Sequence, residues 1–232
     1  ANGRFNLFRK NTSDPQAEPE KISDAVLDYA ISKDGRQAAY LKAEGEKISL
    51  WLSDGAPRKV SADMQLDEQS YFLSSDGKYL LYTVHGADGL ALYALSTAAG
   101  SEPVELCASV EMYALADETD TVYYVAESEA GGSYDVFGHA LETGETERAA
   151  ESVAYMEVMP NGRDLLYCKM PEENVLYRDL IVDDMREADA VLSADAGEAE
   201  LAEKAERDKV REAMDNGEGF APILLDCYIL TN

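Results

Sequence analysis

The chain has 232 residues, of which 46% are apolar, and it carries 46 Asp and Glu against 20 Lys and Arg, a formal net charge of −26. That length buries a sizeable core in one domain or two. A surface this negative repels nucleic acid and anionic lipid, both of which are bound chiefly through Lys and Arg, so neither is an expected partner. Solubility alone accounts for such a charge. It also suits a domain outside the cytoplasm or a partner with basic patches.

The first residues, 4–23, carry fragments of a pattern that recurs later. Leu7-Phe8 stands 43 residues before Leu50-Trp51, and Glu20-Lys21-Ile22-Ser23 is similar to Arg58-Lys59-Val60-Ser61. Residues 4–23 therefore read as the outer half of a sheet unit, with Pro15 to Pro19 in a polar loop. The chain starts at Ala1 without Met, so a leader or anchor removed ahead of this numbering is compatible with it.

Four repeats follow, near 24–65, 66–108, 109–151 and 152–192. Their shared segment runs Tyr29 to Tyr40, Tyr71 to Tyr82, Tyr113 to Tyr124 and Met156 to Tyr167, so the closing tyrosines recur at intervals of 42, 42 and 43 residues. A fixed period in this range marks stacked or radial repeats. Asp34-Gly35, Asp76-Gly77 and Asn161-Gly162 divide the segment into two strands, because Gly takes positive φ without steric cost. Glu118-Thr119 stands at that place in the third repeat, which predicts a looser turn. A third strand with an aromatic follows: Leu50-Trp51, Leu92-Tyr93, Val136-Phe137 and Leu176-Tyr177. A short fourth segment closes the unit, as in Arg58-Lys59-Val60 and Val104-Glu105-Leu106.

Four short antiparallel strands per unit with no helices between units predict an all-β propeller. The recurring aromatics are expected to pack between neighbouring sheets rather than to form a binding stripe. The first strands, starting at Tyr29, Tyr71, Tyr113 and Met156, are the candidates to border a central opening, and these four residues are the predicted binding positions.

Ser32-Lys-Asp-Gly-Arg-Gln-Ala-Ala-Tyr40, followed by Gly45 and Leu50-Trp51, resembles the repeat of TolB-like (WD40-like, PD40-type) propellers. Ser74-Ser-Asp-Gly-Lys78 repeats it. The Pro that usually follows Ser in that pattern is absent from both copies. The resemblance covers roughly residues 24–187. It implies the fold, a six-bladed ring and a bacterial cell-envelope setting, and it says little about activity, since similar blades serve as scaffolds and as gate domains of peptidases.

The period breaks after residue 192. Residues 193–219 are predicted as a helical appendage, opened by the capping box Asp195 to Glu198 and closed near Gly217. Glu200 with Lys204 and Glu203 with Arg207 are favourably ordered helix pairs. Residues 220–232 read as a terminal strand, Ile223 to Leu230. The first choice for closing the ring joins this strand to the N-terminal one, with Leu7 and Phe8 in one sheet with Leu225 and Tyr228. Self-association through an open blade face and continuation in a longer chain are the other routes.

No catalytic constellation is visible. His85 and His139 are the only imidazoles, and nothing beside either completes a triad. Gly131-Gly-Ser133-Tyr-Asp135 misses the nucleophile elbow at its last position. Asp117 to Asp120 and Asp183-Asp184 lack the ligand alternation of a calcium loop and read as solvated turns. Cys107, Cys168 and Cys227 have no metal-type spacing and read as buried thiols, with one disulfide compatible. The longest apolar run, near Ile223 to Leu230, is broken by Asp226 and far short of a membrane span. No cofactor and no metal are called for. The reading is a non-enzymatic binding or scaffold propeller outside the cytoplasm, with a peptidase gate domain and a propeller glycosidase as alternatives.

Overall fold

The computed structural model describes residues 3–14, 16–62, 64, 70–87, 89–128, 131, 133–169, 201–202, 204–205, 207–209, 212 and 226–231. Its residues cluster into two units. The first is Ala1–Glu151 with Val158–Leu165 and Thr231–Asn232, and the second is Ser152–Glu157 with Leu166–Leu230.

In the first unit, strands β1 (Phe5–Arg9), β2 (Glu20–Ile31), β3 (Ala38–Glu44), β4 (Lys47–Ser53) and β5 (Pro57–Ala62) form one antiparallel sheet in chain order. Strands β6 (Tyr71–Leu73), β7 (Tyr79–His85), β8 (Leu90–Ser96) and β9 (Val104–Cys107) form the second. The third is β10 (Val110–Ala116), β11 (Thr121–Glu127), β12 (Tyr134–Ala140) and β13 (Thr146–Ala150). These are propeller blades.

Strand β2 is two strands in one. Its 20–26 half pairs with β1, and its 26–31 half pairs with β3. The join is marked by Ala25, whose φ is 52°. The β1 pairing shifts register between Leu7 and Phe8. Equivalent shifts fall between Leu50 and Trp51, Leu92 and Tyr93, and Val136 and Phe137 in the outer hairpins of the three sheets. The N-terminal hairpin thus has the register of an outer blade half and runs directly into the first full sheet.

The repeated aromatics face one another across the middle strands. Tyr40 pairs with Trp51, Tyr82 with Tyr93 and Tyr124 with Phe137. The last two pairs stack with centroids 5.4 and 5.5 Å apart. Between the first and second sheets, Leu41, Leu50 and Leu52 pack with Leu80, Tyr82 and Leu95. Between the second and third, Leu81, Leu92 and Ala94 pack with Val122 and Tyr124. Each fully buried leucine contributes about 1.5–3 kcal/mol relative to exposure. A β-sheet has two faces and each needs cover, which is why the apolar positions return with the period of the sheet rather than of the strand.

The Glu118-Thr119 turn closes without glycine. The Thr119 amide donates to the Ala116 carbonyl at 3.1 Å, and Asp120 takes the left-handed conformation at φ 48°.

The fourth sheet has the order β14 (Val153–Val158), β15 (Leu165–Lys169), β16 (Asp226–Leu230). This corrects two expectations. The terminal strand does not share a sheet with β1, which pairs with β2 instead, so the composite blade of Leu7 and Phe8 with Tyr228 is not formed; Leu225 lies outside the described residues. Strand β16 also takes the third-strand place expected for Leu176-Tyr177, which lies outside the described residues. Tyr228 stacks on Tyr167 at 5.4 Å as Tyr93 does on Tyr82. Cys227-Tyr228 stands in β16 as Leu92-Tyr93 does in β8, with the aromatic set against the closing tyrosine of the neighbouring strand.

The cysteines are also corrected. Cys168 and Cys227 are joined by a disulfide between β15 and β16, and Cys107 is half-buried with a free thiol whose Sγ lies 3.2 Å from the Ser109 carbonyl. Residues 201–202, 204–205, 207–209 and 212 are helical, and Leu201 is exposed. Lys204 pairs with Asp208 at 2.8 Å; Glu200 and Glu203 lie outside the described residues.

Candidate functional site

The repeated Ser-x-Asp-Gly turn makes its own scaffold. Ser32 Oγ donates to Asp34 Oδ1 at 2.7 Å, and the Arg36 amide donates to the same oxygen at 2.9 Å. Ser74 and Lys78 treat Asp76 in the same way, at 2.8 and 2.9 Å. These side-chain bonds add to the backbone bonds that close each turn, from the Gly35 amide to the Ser32 carbonyl at 2.8 Å and from the Gly77 amide to the Ser74 carbonyl at 2.9 Å. Those bonds, from Arg36 first and then Ser32, hold the Asp34 carboxyl below the usual carboxylate range. For Asp76 partial burial pushes upward, but the bonds from Lys78 and Ser74 outweigh it and the carboxyl is also lowered. The Lys78 ammonium is raised by Asp76 and Asp120.

Successive turns are stitched together. The Lys33 amide donates to the Ser75 carbonyl at 2.7 Å. The Ser75 amide donates to Asp117 Oδ1 at 3.0 Å, and Ser75 Oγ donates to the same carboxylate. The Glu118 amide donates to the Gly162 carbonyl at 2.9 Å. Gly77 is required twice over: its φ is 77°, and a Cβ there would lie 2.9 Å from Ser32 Cβ and Gln37 Cγ. This row frames a cleft of about 590 Å³ lined by Lys33, Asp34, Asp76, Lys78, Glu118 and Asp120. It is shallow, polar and predominantly anionic, which fits contact with a charged protein surface better than enclosure of a small apolar molecule.

Tyr71, Tyr113 and Met156 lie on the first strands of their sheets and Tyr29 on β2, the second strand of the five-stranded sheet, and their settings are unlike. Tyr29 is exposed and meets Phe5 edge-on at 5.7 Å. Tyr71 is half-buried, packs on the first sheet, and donates from its hydroxyl to Asp28 Oδ2 at 2.7 Å. Burial and then Asp28 raise its pKa strongly. Tyr113 is half-buried against the core between the second and third sheets. Met156 is buried and belongs to the second unit. The structure thus brings Tyr71 to β2 and gives Tyr71 and Tyr113 packing contacts.

Sequence reasoning did not single out Lys33, Ser75, Lys78 or Asp28. The signal for the first three was present in the Ser-x-Asp-Gly period. Of the acidic turns, Asp117 is engaged by Ser75, and Asp120 lies 3.7 Å from Lys78. Asp183-Asp184 lies outside the described residues. Among the described residues no group of three or more His, Cys, Asp or Glu is arranged to hold a metal ion. His139 Nδ1 lies 2.7 Å from Thr146 Oγ1, and burial lowers its pKa. His85 is exposed. Ser133 sits in a loop closed by the Ser128 amide donating to its carbonyl, and buried Asp135 pairs with Arg148 at 3.3 Å. No helix among the described residues is long and apolar enough to cross a membrane.

No protein-family model matches the chain, and no curated protein sequence matches it. Among solved structures, it is similar to the β-propeller domain of the Trilobed protease from Pyrococcus furiosus, with a TM-score of 0.50 and 18% identity over 73% of this chain and 57% of that one. It is also similar to the acylaminoacyl peptidase of Pyrococcus horikoshii, with a TM-score of 0.45 and 14% identity over 73% of this chain and 34% of that one. TolB from Acinetobacter baumannii aligns with a TM-score of 0.27 and 14% identity, over 75% of this chain and 60% of that one. At these identities the likeness is one of fold: the chain is a β-propeller repeat protein.

Proposed function

We propose that this chain is a non-enzymatic binding or scaffold propeller of the bacterial cell envelope, and that it meets a basic protein surface with its row of Asp-bearing turns. The observation that carries this reading is the stitched row itself. Backbone bonds between turns fix Asp34, Asp76, Glu118 and Asp120 in relation to one another, so recognition costs little ordering of the surface. A charge of −26 speeds encounter with a basic partner. The Cys168–Cys227 disulfide supports an extracytoplasmic setting, since such bonds persist where the surroundings are oxidising.

The rival reading is the propeller domain of a serine peptidase whose hydrolase part lies outside this chain. The fold shared with the Trilobed protease domain, described there as having an open velcro topology, is what favours it. The test places a photo-crosslinking residue at Lys33, Ser75 or Thr119 in living cells. The scaffold reading expects one discrete protein adduct, weakened when Asp34 and Asp76 are changed to Asn. Absence of any adduct, together with peptidase activity of the full gene product, would replace it with the rival.

A further inference from the structure

The groove beside Trp51 is unlike its counterparts. Two residues beyond the closing tyrosine, β3, β7 and β11 carry Lys42, Val84 and Ala126. The second and third sheets thus bring an apolar side chain to this place, and the first brings an ammonium. Lys42 Nζ lies 5.8 Å from the centroid of the Trp51 ring, and Lys59 Nζ lies 5.4 Å from it. A cleft of about 280 Å³ opens here, with Lys21, Asp24, Lys42 and Trp51 in its lining and Ile22 and Pro57 as apolar walls.

The charges do not cancel. Lys59 is paired with Glu44. Asp24 serves two ammonium groups, Lys42 at 3.0 Å and Lys21 at 3.9 Å, and both lower its pKa, Lys42 the more. One positive charge is left over, in a chain whose net charge is −26. The Trp51 Nε1 is shielded from solvent and has no hydrogen-bond partner among the described residues. Because water does not reach that nitrogen, the cleft offers a ligand the indole ring and not its N–H.

We propose that this cleft binds a carboxylate carried beside an apolar group. The anion would neutralise the surplus charge of Lys21 and Lys42, and the apolar part would rest on Ile22 and Pro57 beside the Trp51 ring. A monoanion matches a surplus of one; a phosphate dianion would add negative charge to an already anionic protein. The carboxylate could come from a peptide chain end or from an acidic sugar.

Trp51 is the sole tryptophan, so its fluorescence reports on this cleft alone. The intact chain is titrated with N-acetyl-leucine, N-acetyl-leucinamide, glucuronate, glucose and inorganic phosphate. The expected result is a saturable change with a carboxylate and at least about tenfold weaker binding of its uncharged analogue, the size of one charged hydrogen bond. Saturation by N-acetyl-leucine identifies a chain end, and saturation by glucuronate identifies an acidic sugar. Lys42→Gln should weaken binding about tenfold, and Lys21→Gln, at a more exposed position, by about threefold. The proposal is overturned if neither carboxylate saturates, if phosphate binds as tightly, or if a folded Lys21→Gln or Lys42→Gln protein binds unchanged.

Discussion

The first and fourth sheets both set an aromatic pair across neighbouring strands and hold the later strand by different means. In the first sheet, strands β3, β4 and β5 follow one another within residues 38–62, and the inward positions Leu50 and Leu52 are 0% and 1% exposed. In the fourth, β15 ends at Lys169 and its neighbour begins at Asp226, with residues 170–225 between them. The positions equivalent to Leu50 and Leu52 are Cys227 and Ile229; Cys227 is exposed and Ile229 is 59% exposed. Where the next sheet covers the face, burial holds the strand. Where the strand returns from far along the chain to an exposed position, a covalent bond does so.

The largest test of this contrast removes the bond. Closing a loop across a separation of 59 residues corresponds to about 4 kcal/mol in the chain-entropy relation. Changing both Cys168 and Cys227 to Ser, or adding reductant, should lower the melting transition of the second unit by that order. Hydrogen exchange should show β16 losing protection while β3 and β4 keep theirs. Equal protection of β16 in oxidised and reduced protein would mean that pairing alone holds it.

Burial gives the next largest effect. Leu52→Ala should cost about 3 kcal/mol in denaturant unfolding, and Ile229→Ala less than about 0.5 kcal/mol. A large cost at Ile229 would show that something covers that face in solution.

The turns sharpen the contrast on a smaller scale. Gly35 and Gly77 both have positive φ, but a Cβ on Gly35 meets nothing within 4 Å, whereas one on Gly77 meets the first sheet's turn. Gly35→Ala should cost about 1 kcal/mol and Gly77→Ala about 2 kcal/mol, because only the second adds a clash to the backbone strain. Thermal melts of the two variants separate the terms.

The smallest effect at neutral pH concerns tyrosine. Burial pushes the Tyr82 hydroxyl up to about 12. The folded state therefore holds this proton more tightly than the unfolded chain, whose tyrosine titrates near 10. The contribution is fully present below about pH 10 and is lost as pH rises toward 12, so stability should fall across that window. Tyr82→Phe should flatten the fall, as followed by urea midpoints between pH 9 and 12.

Much of the fold was legible because an uncovered sheet face must find cover at a fixed interval, and Tyr40, Tyr82, Tyr124 and Tyr167 record that interval. The Asp-Gly turns were legible for a local reason, since positive φ selects glycine. Strand β16 was not. Leu176-Tyr177 offered an inward residue and an aromatic at the right period, and pairing partners across residues 170–225 are set by contacts that no local pattern encodes. The disulfide followed from the same gap: Cys168 and Cys227 become neighbours only once Tyr228 is set opposite Tyr167. The turn row lay between these cases. Ser32, Asp34, Ser74 and Asp76 were visible as a motif, but the bonds joining one turn to the next belong to the packing of sheets.

That row has a direction. The Lys33 amide donates toward the second sheet, the Ser75 amide toward the third, and the Glu118 amide toward the hairpin of residues 158–165. The two middle turns each have an outgoing donor and an incoming acceptor, but the acceptors differ, the Ser75 carbonyl in one and the Asp117 carboxylate in the other. Glu118 stands at the place of Asp34 and Asp76, one residue after the donors Lys33 and Ser75, so the third junction keeps a bond between turns while moving its donor by one residue, and a repeat moved to another place in the row would have to remake its junctions.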